Sequence, residues 1–234
     1  MPAQPLQAIL IAHGSPADPE PQDRWMQALA TRARFWAPGW QIRGTTLALP
    51  GALEAALTAL PQALIYPFFM AEGFFTRRQL PARLAAAGRA DAVQLPAFGP
   101  HPGNAALLAR TATTAAHAHG LPETASLVLA AHGSQVSRAS ANRTEDMAAA
   151  LRQLTRFTVA TGYVEEAPFL QDAARITGPA LCLPFFATRA GHVATDVPEA
   201  LEQAGFTGTL LPAIGEHADA ARLIAGALQA HAAA

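Results

Sequence analysis

Lysine is absent from this 234-residue sequence, and all sixteen basic residues are arginine. Charged residues make up only 14% of the chain, and the formal net charge is −1. Proteins that bind nucleic acid or an anionic membrane surface carry a clear excess of basic residues. The composition therefore predicts neither a nucleic-acid partner nor a membrane partner. The arginine excess indicates no particular ligand by itself, because a GC-rich genome favours arginine and alanine as well.

Cysteine occurs once, as Cys182, so an internal disulfide is excluded. The first residues, MPAQPLQ, lack the charged region of a signal peptide, and the apolar AILIA that follows is too short for its hydrophobic core. No apolar run approaches the roughly 20 residues of a membrane span. These features predict a soluble, cytoplasmic protein.

Three blocks of sequence recur in the same order. Residues 9–15, ILIAHGS, return as LVLAAHGS, so that His13 corresponds to His132. The stretch YPFFMAEGFFTRRQLP matches LPFFATRAGHVATDVP, and LPAFGPH returns as LPAIGEH with five of seven residues identical. The spacing between copies changes only from 119 to 116 residues. Such self-similarity predicts two copies of one structural plan, which we divide into domains at residues 1–121 and 122–234.

Each half alternates between two kinds of segment. Short apolar runs without polar alternation, such as residues 127–131 and 180–186, are typical of strands buried on both faces of a parallel sheet. Ala- and Leu-rich stretches of helical length, such as residues 104–119 and 142–154, lie between the strands. The alternation predicts an α/β fold with a doubly wound parallel sheet in each half. Ligands bind such sheets beyond the carboxyl ends of the strands.

The second half places chemically capable residues directly after predicted strands. His132, His192 and the pair Glu165 and Glu166 each follow a different strand. Neutral imidazoles with a carboxylate can hold a first-row divalent metal, and they can also transfer protons near neutral pH. We predict that His132 and His192 bind the metal and that one of the two glutamates supplies the acid.

The first half keeps His13 but is apolar at the other matching positions. Alignment of the copies pairs the two glutamates with Leu47 and Ala48, and it pairs His192 with Phe75. The joint absence predicts that this half lost its own site and forms a wall for the ligand. Phe75 suits stacking on a flat aromatic ligand.

Several arginines lie on the loops that follow the predicted strands. Each one alone is typical of a solvated surface charge, but as a group around a crevice they suit a ligand with several carboxylates. They are Arg77, Arg78, Arg138, Arg143 and Arg189.

The motifs AHGS after a strand, GHVATDVP and LPAIGEH together resemble those of class II tetrapyrrole chelatases of the CbiX and SirB type, the sirohydrochlorin cobaltochelatases and ferrochelatases. The resemblance covers nearly the whole chain, which is similar to the long form made of two fused half-units. It implies two tandem flavodoxin-like, chelatase-like domains with a cleft between them. It also implies insertion of Co²⁺ or Fe²⁺ into sirohydrochlorin, in cobalamin or siroheme biosynthesis, without ATP or a redox step.

The resemblance places the metal-handling histidines on His132 and His192 and the catalytic acid on Glu165, with Glu166 as the near alternative. In the long form we expect the histidine pair in the N-terminal half, whereas here it lies in the C-terminal half. No cofactor is implied beyond the substrate metal ion, which is Co²⁺ or alternatively Fe²⁺ or Ni²⁺. The residues predicted to contact the tetrapyrrole are His13, Phe75, Ser134, Arg138 and Arg189.

A hypothesis from another class is a non-catalytic tetrapyrrole or metal carrier that kept the fold without turnover. A nucleotide-binding protein is a weaker alternative, because the chain has neither a G-x-G-x-x-G motif nor a P-loop. The fused halves predict that a monomer suffices to form the cleft, and a homodimer is the alternative.

Overall fold

A computed structural model describes residues 5–188 and 194–234. The strands are β1 (Leu6–Ala12), β2 (Trp40–Thr46), β3 (Leu64–Pro67), β4 (Ser126–Ala131), β5 (Thr158–Tyr163), β6 (Ala180–Pro184) and β7 (Thr209–Leu210). The α-helices are α1 (Pro19–Trp36), α2 (Ala52–Ala59), α3 (Leu80–Ala86), α4 (Gly103–Ala118), α5 (Ala139–Leu154), α6 (Leu170–Ala173), α7 (Asp196–Gln203) and α8 (Ala218–Ala232). A π-helical turn over Phe75–Gln79 precedes α3, and a 3₁₀ turn over Ile214–Glu216 precedes α8.

The described residues form two compact units. The first contains the chain up to His101 together with Ala218–Ala234, and the second contains Pro102–His217. Each unit has its own parallel sheet, with strand order β2-β1-β3 in the first and β5-β4-β6-β7 in the second. The prediction of an α/β fold with parallel sheets is confirmed.

The central strand of each sheet is buried on both faces, as its apolar sequence predicts. In the first unit Ile9 and Ile11 of β1 pack against α2 and α3, where they meet Leu53 and Leu84. In the second unit Val128 of β4 lies in the same cluster as residues of β6 and α7. Cys182 belongs to this cluster, and burial raises the pKa of its thiol to about 12. The thiol is therefore part of the core and stays protonated.

Backbone hydrogen bonds show that the repeated sequences occupy matching places. The amide of Phe68 donates to the carbonyl of Ile11, and the amide of Phe185 donates in the same way to Ala130. Farther along the chain, Gly99 donates to Phe69 and Gly215 donates to Phe186. Both central strands are thus connected to their neighbours by the same bonds.

The same bonds correct one detail of the sequence alignment. The carbonyl of His13 accepts from the amide of Ala48, whereas the matching carbonyl of His132 accepts from Glu165. By this bond Glu165 corresponds to Ala48, one residue later than the sequence alignment places it. The alignment shifted because the residues after β2 and β5 share no side chains that could anchor it.

The two units are not the two consecutive halves of the sequence. Helix α8, at the end of the second sequence copy, packs on α1 in the first unit. Helix α4, at the end of the first copy, packs on α5 and β6 in the second unit. The observed units therefore differ from a division between residues 121 and 122. The last helix of each sequence copy belongs to the unit that contains the sheet of the other copy.

Carboxylates attach the first helix of each copy to its sheet. Oδ1 of Asp23 on α1 accepts bonds from the Thr46 amide at 2.9 Å and the Thr45 hydroxyl at 3.0 Å. Oε1 of Glu145 on α5 accepts bonds from the hydroxyls of Thr161 at 2.7 Å and Tyr163 at 2.8 Å. Burial raises the pKa of Tyr163 to about 12, so its phenol remains a donor. These bonds fix α1 and α5 beside the strand ends that carry the candidate site.

Candidate metal site at the end of the second sheet

His132 and Glu165 meet at the carboxyl edge of the second sheet. Strands β4 and β5 are parallel, and Ala131 at the end of one pairs with Tyr163 at the end of the other. The residues that follow therefore emerge side by side. Nδ1 of His132 lies 3.7 Å from Oε2 of Glu165, and both side chains are about two-fifths exposed. The approach predicted from the strand ends is thus present in the structure.

The hydrogen bond of the His132 ring determines which nitrogen can face a metal. Nδ1 lies 3.1 Å from the carbonyl oxygen of Gly133. A carbonyl can only accept, so this bond requires the proton on Nδ1. In the neutral imidazole, Nε2 then keeps its lone pair, which is the form that binds divalent metals.

Glu166 has a different environment from Glu165, although the two are adjacent in sequence. Its Oε1 accepts the Ser134 amide at 2.9 Å, and its Oε2 accepts Nη1 of Arg138 at 2.7 Å. Its side chain is 11% exposed, compared with 39% for Glu165. Of the two alternatives left open by the sequence, Glu165 is the glutamate that faces His132.

Arg138 and Ser134, both predicted to contact a tetrapyrrole, make bonds within the second unit. Arg138 forms the ion pair with Glu166, and the Ser134 hydroxyl accepts the amides of Val136 and Ser137 at 3.2 and 3.3 Å. Arg143 lies on helix α5, and its Nη1 is 3.2 Å from Oδ2 of Asp146. These contacts give each residue a structural partner, and the support that Glu166 gives this loop was not anticipated from the sequence.

His192 and Arg189 lie outside the described residues. Within residues 5–188 and 194–234, no group of three or more His, Cys, Asp or Glu side chains is placed to hold a metal ion. Of the predicted set His132, His192 and Glu165, the structure therefore describes two members, and they lie together.

The matching position in the first unit is filled by aromatic rings. The His13 ring lies 4.2 Å from the Phe75 ring, centroid to centroid, and Phe75 in turn stacks on Phe69 at 6.0 Å. Burial lowers the pKa of His13. Its Nδ1 is buried, and no described residue forms a hydrogen bond with it. The imidazole is thus held neutral in an apolar contact with Phe75, the counterpart of His192.

A separate cavity of about 160 Å³ lies between the β5–α6 connection and α7. Its lining includes Val164 and Phe169 together with the acidic side chains of Asp196 and Glu199. It includes neither His132 nor Glu165. A cavity of this size with carboxylates in its wall does not suit a large polycarboxylate ligand.

Comparisons with known proteins agree with this fold. The family model for CbiX matches residues 126–230. The chain is similar to the solved structure of CbiX, the terminal enzyme for biosynthesis of siroheme in denitrifying bacteria. The identity is 45%, the TM-score is 0.88, and the match covers 96% of this chain and 98% of that chain. No curated protein sequence matched the chain.

Two more distant structures share the fold. SirB from Bacillus subtilis with Fe³⁺ has 13% identity and a TM-score of 0.76, over 97% of this chain and 96% of that chain. DR2241 from Deinococcus radiodurans, a multi-domain protein with structural similarity to chelatases, has 20% identity and a TM-score of 0.65. That match covers 98% of this chain and 55% of DR2241.

The fold is that of a class II chelatase. The chain belongs to the CbiX family of tetrapyrrole chelatases. In the part of the chain that the structure describes, no helix is both long and apolar enough to cross a membrane.

Proposed function

We propose that the protein inserts a divalent metal, Fe²⁺ or Co²⁺, into sirohydrochlorin or a closely related tetrapyrrole. The observation that carries the proposal is the 3.7 Å approach of His132 and Glu165 beyond the second sheet, in a chain of the CbiX family. The 45% identical CbiX is the terminal enzyme of siroheme biosynthesis. Because siroheme contains iron, this relative favours Fe²⁺ and sirohydrochlorin over the other combinations.

The chemistry requires a metal donor and a proton acceptor on the same side of the macrocycle. Insertion forms four metal–nitrogen bonds and releases two protons from pyrrole nitrogens for each M²⁺ that enters. His132, protonated on Nδ1 by its bond to Gly133, offers Nε2 to the incoming metal. His192 is the proposed second ligand. Glu165, exposed and adjacent, is the proposed acceptor for the released protons.

Binding of the tetrapyrrole must also bend the ring. The flat macrocycle must bend so that its nitrogen lone pairs point toward the metal, and contacts to its peripheral carboxylates can offset that strain.

The direct test is anaerobic insertion followed by the absorption spectrum of the tetrapyrrole. Sirohydrochlorin is offered with Fe²⁺, Co²⁺ or Ni²⁺ to the wild-type protein, to His192→Ala, and to buffer alone. We expect the wild type to exceed the uncatalysed rate, with Fe²⁺ fastest, and His192→Ala to fall toward that rate. Tight binding of the pigment by the wild type without insertion would identify a carrier instead.

A further inference from the structure

Glu166 joins the loop after β4 to the loop after β5. Its two carboxylate oxygens are each engaged, one by the Ser134 amide at 2.9 Å and the other by Arg138 at 2.7 Å. Bonds of this kind, between a carboxylate and an amide or guanidinium, are stronger than bonds between neutral groups. The nearly buried Glu166 side chain therefore holds the segment Gly133–Arg138 at two points.

The segment is shaped to receive this side chain. Gly133 has φ +70°, and a Cβ built on it would lie 2.8 Å from Cγ of Glu166 and 3.0 Å from Cβ of Tyr163. Only a glycine leaves room for Glu166 to pass so closely. Gly133 is also the residue whose carbonyl lies beside Nδ1 of His132. A displacement of Glu166 thus acts on the group that orients the imidazole.

The first unit provides an internal comparison, because it has the same loop without this connection. A Cβ built on Gly14 would meet Cβ of Ala48, whereas one built on Gly133 would meet Cγ of Glu166, so the residue that packs on Gly14 carries no carboxylate. Pro19 stands in the place of Arg138 at the spacing of 119 residues that relates the two loops. In that unit the histidine lies against Phe75 instead of a carboxylate. The Glu166–Arg138 connection and the His132–Glu165 pair therefore occur together in one unit and are absent together from the other.

We propose that Glu166 is a positioning residue for His132. It fixes the loop Gly133–Arg138 against the end of β5 so that the imidazole stays opposite Glu165, and it does not bind the metal itself. The role in metal binding rests on the proposed function, whereas the effect on the loop does not. The two neighbouring glutamates thus have different roles: Glu165 faces the site, and Glu166 holds the loop in place.

Binding of Co²⁺ alone, followed by its visible absorption, separates a positioning residue from a ligand. Loss of a group that orients a metal ligand typically weakens affinity about 10- to 100-fold. We expect Glu166→Ala to weaken Co²⁺ binding by about 10-fold, within that range, and Glu166→Gln to retain most of the affinity. The amide oxygen of glutamine can still accept the Ser134 N–H. Equal losses in Glu166→Gln and Glu166→Ala would overturn the proposal, and so would no loss in either.

Two further variants test the contact between Glu166 and the loop Gly133–Arg138. Arg138→Ala should add no further loss of Co²⁺ affinity in the Glu166→Ala background, because the two residues act through one contact. Gly133→Ala should reproduce the loss of Glu166→Ala, since its methyl group meets Cγ of Glu166. Gly205→Ala is the matched control, with φ +66° and no heavy atom within 4 Å of the built Cβ. An effect of Gly205→Ala as large as that of Gly133→Ala would contradict the proposal.

Amide hydrogen exchange of Ser134, measured by NMR without metal, keeps this test independent of the proposed function. We expect exchange to be slow in the wild type, at least 10-fold faster in Glu166→Ala, and unchanged in Glu165→Ala. If the wild type inserts no metal, this result still supports the connection while the proposed function fails. Unchanged Ser134 exchange in Glu166→Ala would reject the connection even with insertion intact. Circular dichroism of each variant confirms that the fold is retained.

Discussion

Two histidines at matching positions have opposite surroundings. His132 lies beside the carboxylate of Glu165, and its Nδ1 lies 3.1 Å from the carbonyl oxygen of Gly133. His13 packs on Phe75, and its buried Nδ1 has no hydrogen-bond partner among residues 5–188 and 194–234. The same motif, AHGS, therefore supports a polar site in one unit and an apolar contact in the other.

The burial of His13 predicts a pH-dependent stability. Burial lowers its pKa from the ordinary value of 6.5, so the unfolded chain takes up a proton at a higher pH than the folded protein does. The free energy of unfolding should therefore fall as the pH drops through 6.5 toward the folded-state pKa. Urea denaturation from pH 8 to pH 5 checks this. His13→Phe, which keeps the ring contact with Phe75, should give a shallower decline.

His101 accounts for part of the expected decline, because burial lowers its pKa as well. The slope that remains in His13→Phe should therefore not be zero. An identical slope in the wild type and His13→Phe would show that His13 titrates alike in the folded and unfolded chains, contrary to this account.

Sequence alone predicts that His132 and Glu165 lie close together, but it does not predict the details of their surroundings. Both residues directly follow predicted strands, and the carboxyl ends of neighbouring parallel strands meet at one edge of the sheet. The different positions of Glu165 and Glu166 depend on the path of the Gly133–Arg138 loop. No residue pattern in the sequence specifies that path. The aromatic contact between His13 and Phe75 was missed for a similar reason, since the alignment shows a lost ligand but not what fills its place.

At the scale of secondary-structure elements, a carboxylate holds the first helix of each copy on its sheet. Asp23 on α1 is 3% exposed and accepts bonds from two consecutive residues of β2. Glu145 plays the same part on α5, three residues farther along its copy, with hydroxyl donors from β5. The sequence predicted α5 from the length and composition of residues 142–154. It did not reveal these carboxylates, since they fall at different positions in the two copies.

Removal of the Asp23 carboxylate should weaken the attachment of α1. Asp23→Ala leaves the Thr46 amide and the Thr45 hydroxyl buried without this acceptor, and each such group costs about 1–3 kcal/mol. We expect the free energy of unfolding to fall by about 3 kcal/mol in urea denaturation. Glu20→Ala on the same helix is the control, because its ion pair with Arg24 is exposed and contributes less than about 1 kcal/mol. Equal losses in the two variants would refute the role of Asp23.

At the scale of the whole molecule, the chain exchanges its helices between the two sheets. Helix α8 buries Ile224 and Leu228 in the first unit, although it follows the second sequence copy. Helix α4 buries Leu107 and Leu108 in the second unit, although it ends the first copy. The repeat predicts two similar sheets. It does not predict which unit contains the last helix of each copy. The apolar face of such a helix would have the same pattern in either unit.

The exchange predicts where each core substitution acts. Ile224→Ala should cost about 2–5 kcal/mol and should reduce amide-exchange protection mainly in α1, on which α8 packs. Leu107→Ala, of similar cost, should reduce protection mainly in α5 and β6, on which α4 packs. Native-state hydrogen exchange resolves such local losses. Loss of protection in the opposite pattern, with each substitution acting on the sheet of its own sequence half, would contradict the observed units.

We propose that the site beyond the second sheet carries the chemistry and that its counterpart in the first unit does not. The most direct measurement compares the rate of Fe²⁺ insertion into sirohydrochlorin by His132→Ala and His13→Ala, a matched pair at equivalent positions. We predict that the insertion rate of His132→Ala is at least about 100-fold lower than that of the wild type, because the variant lacks a group that acts in the reaction. His13→Ala should stay within about threefold of the wild type at pH 7.5, since it lacks a carboxylate neighbour and packs on Phe75. A large loss in His13→Ala with activity retained in His132→Ala would contradict the account.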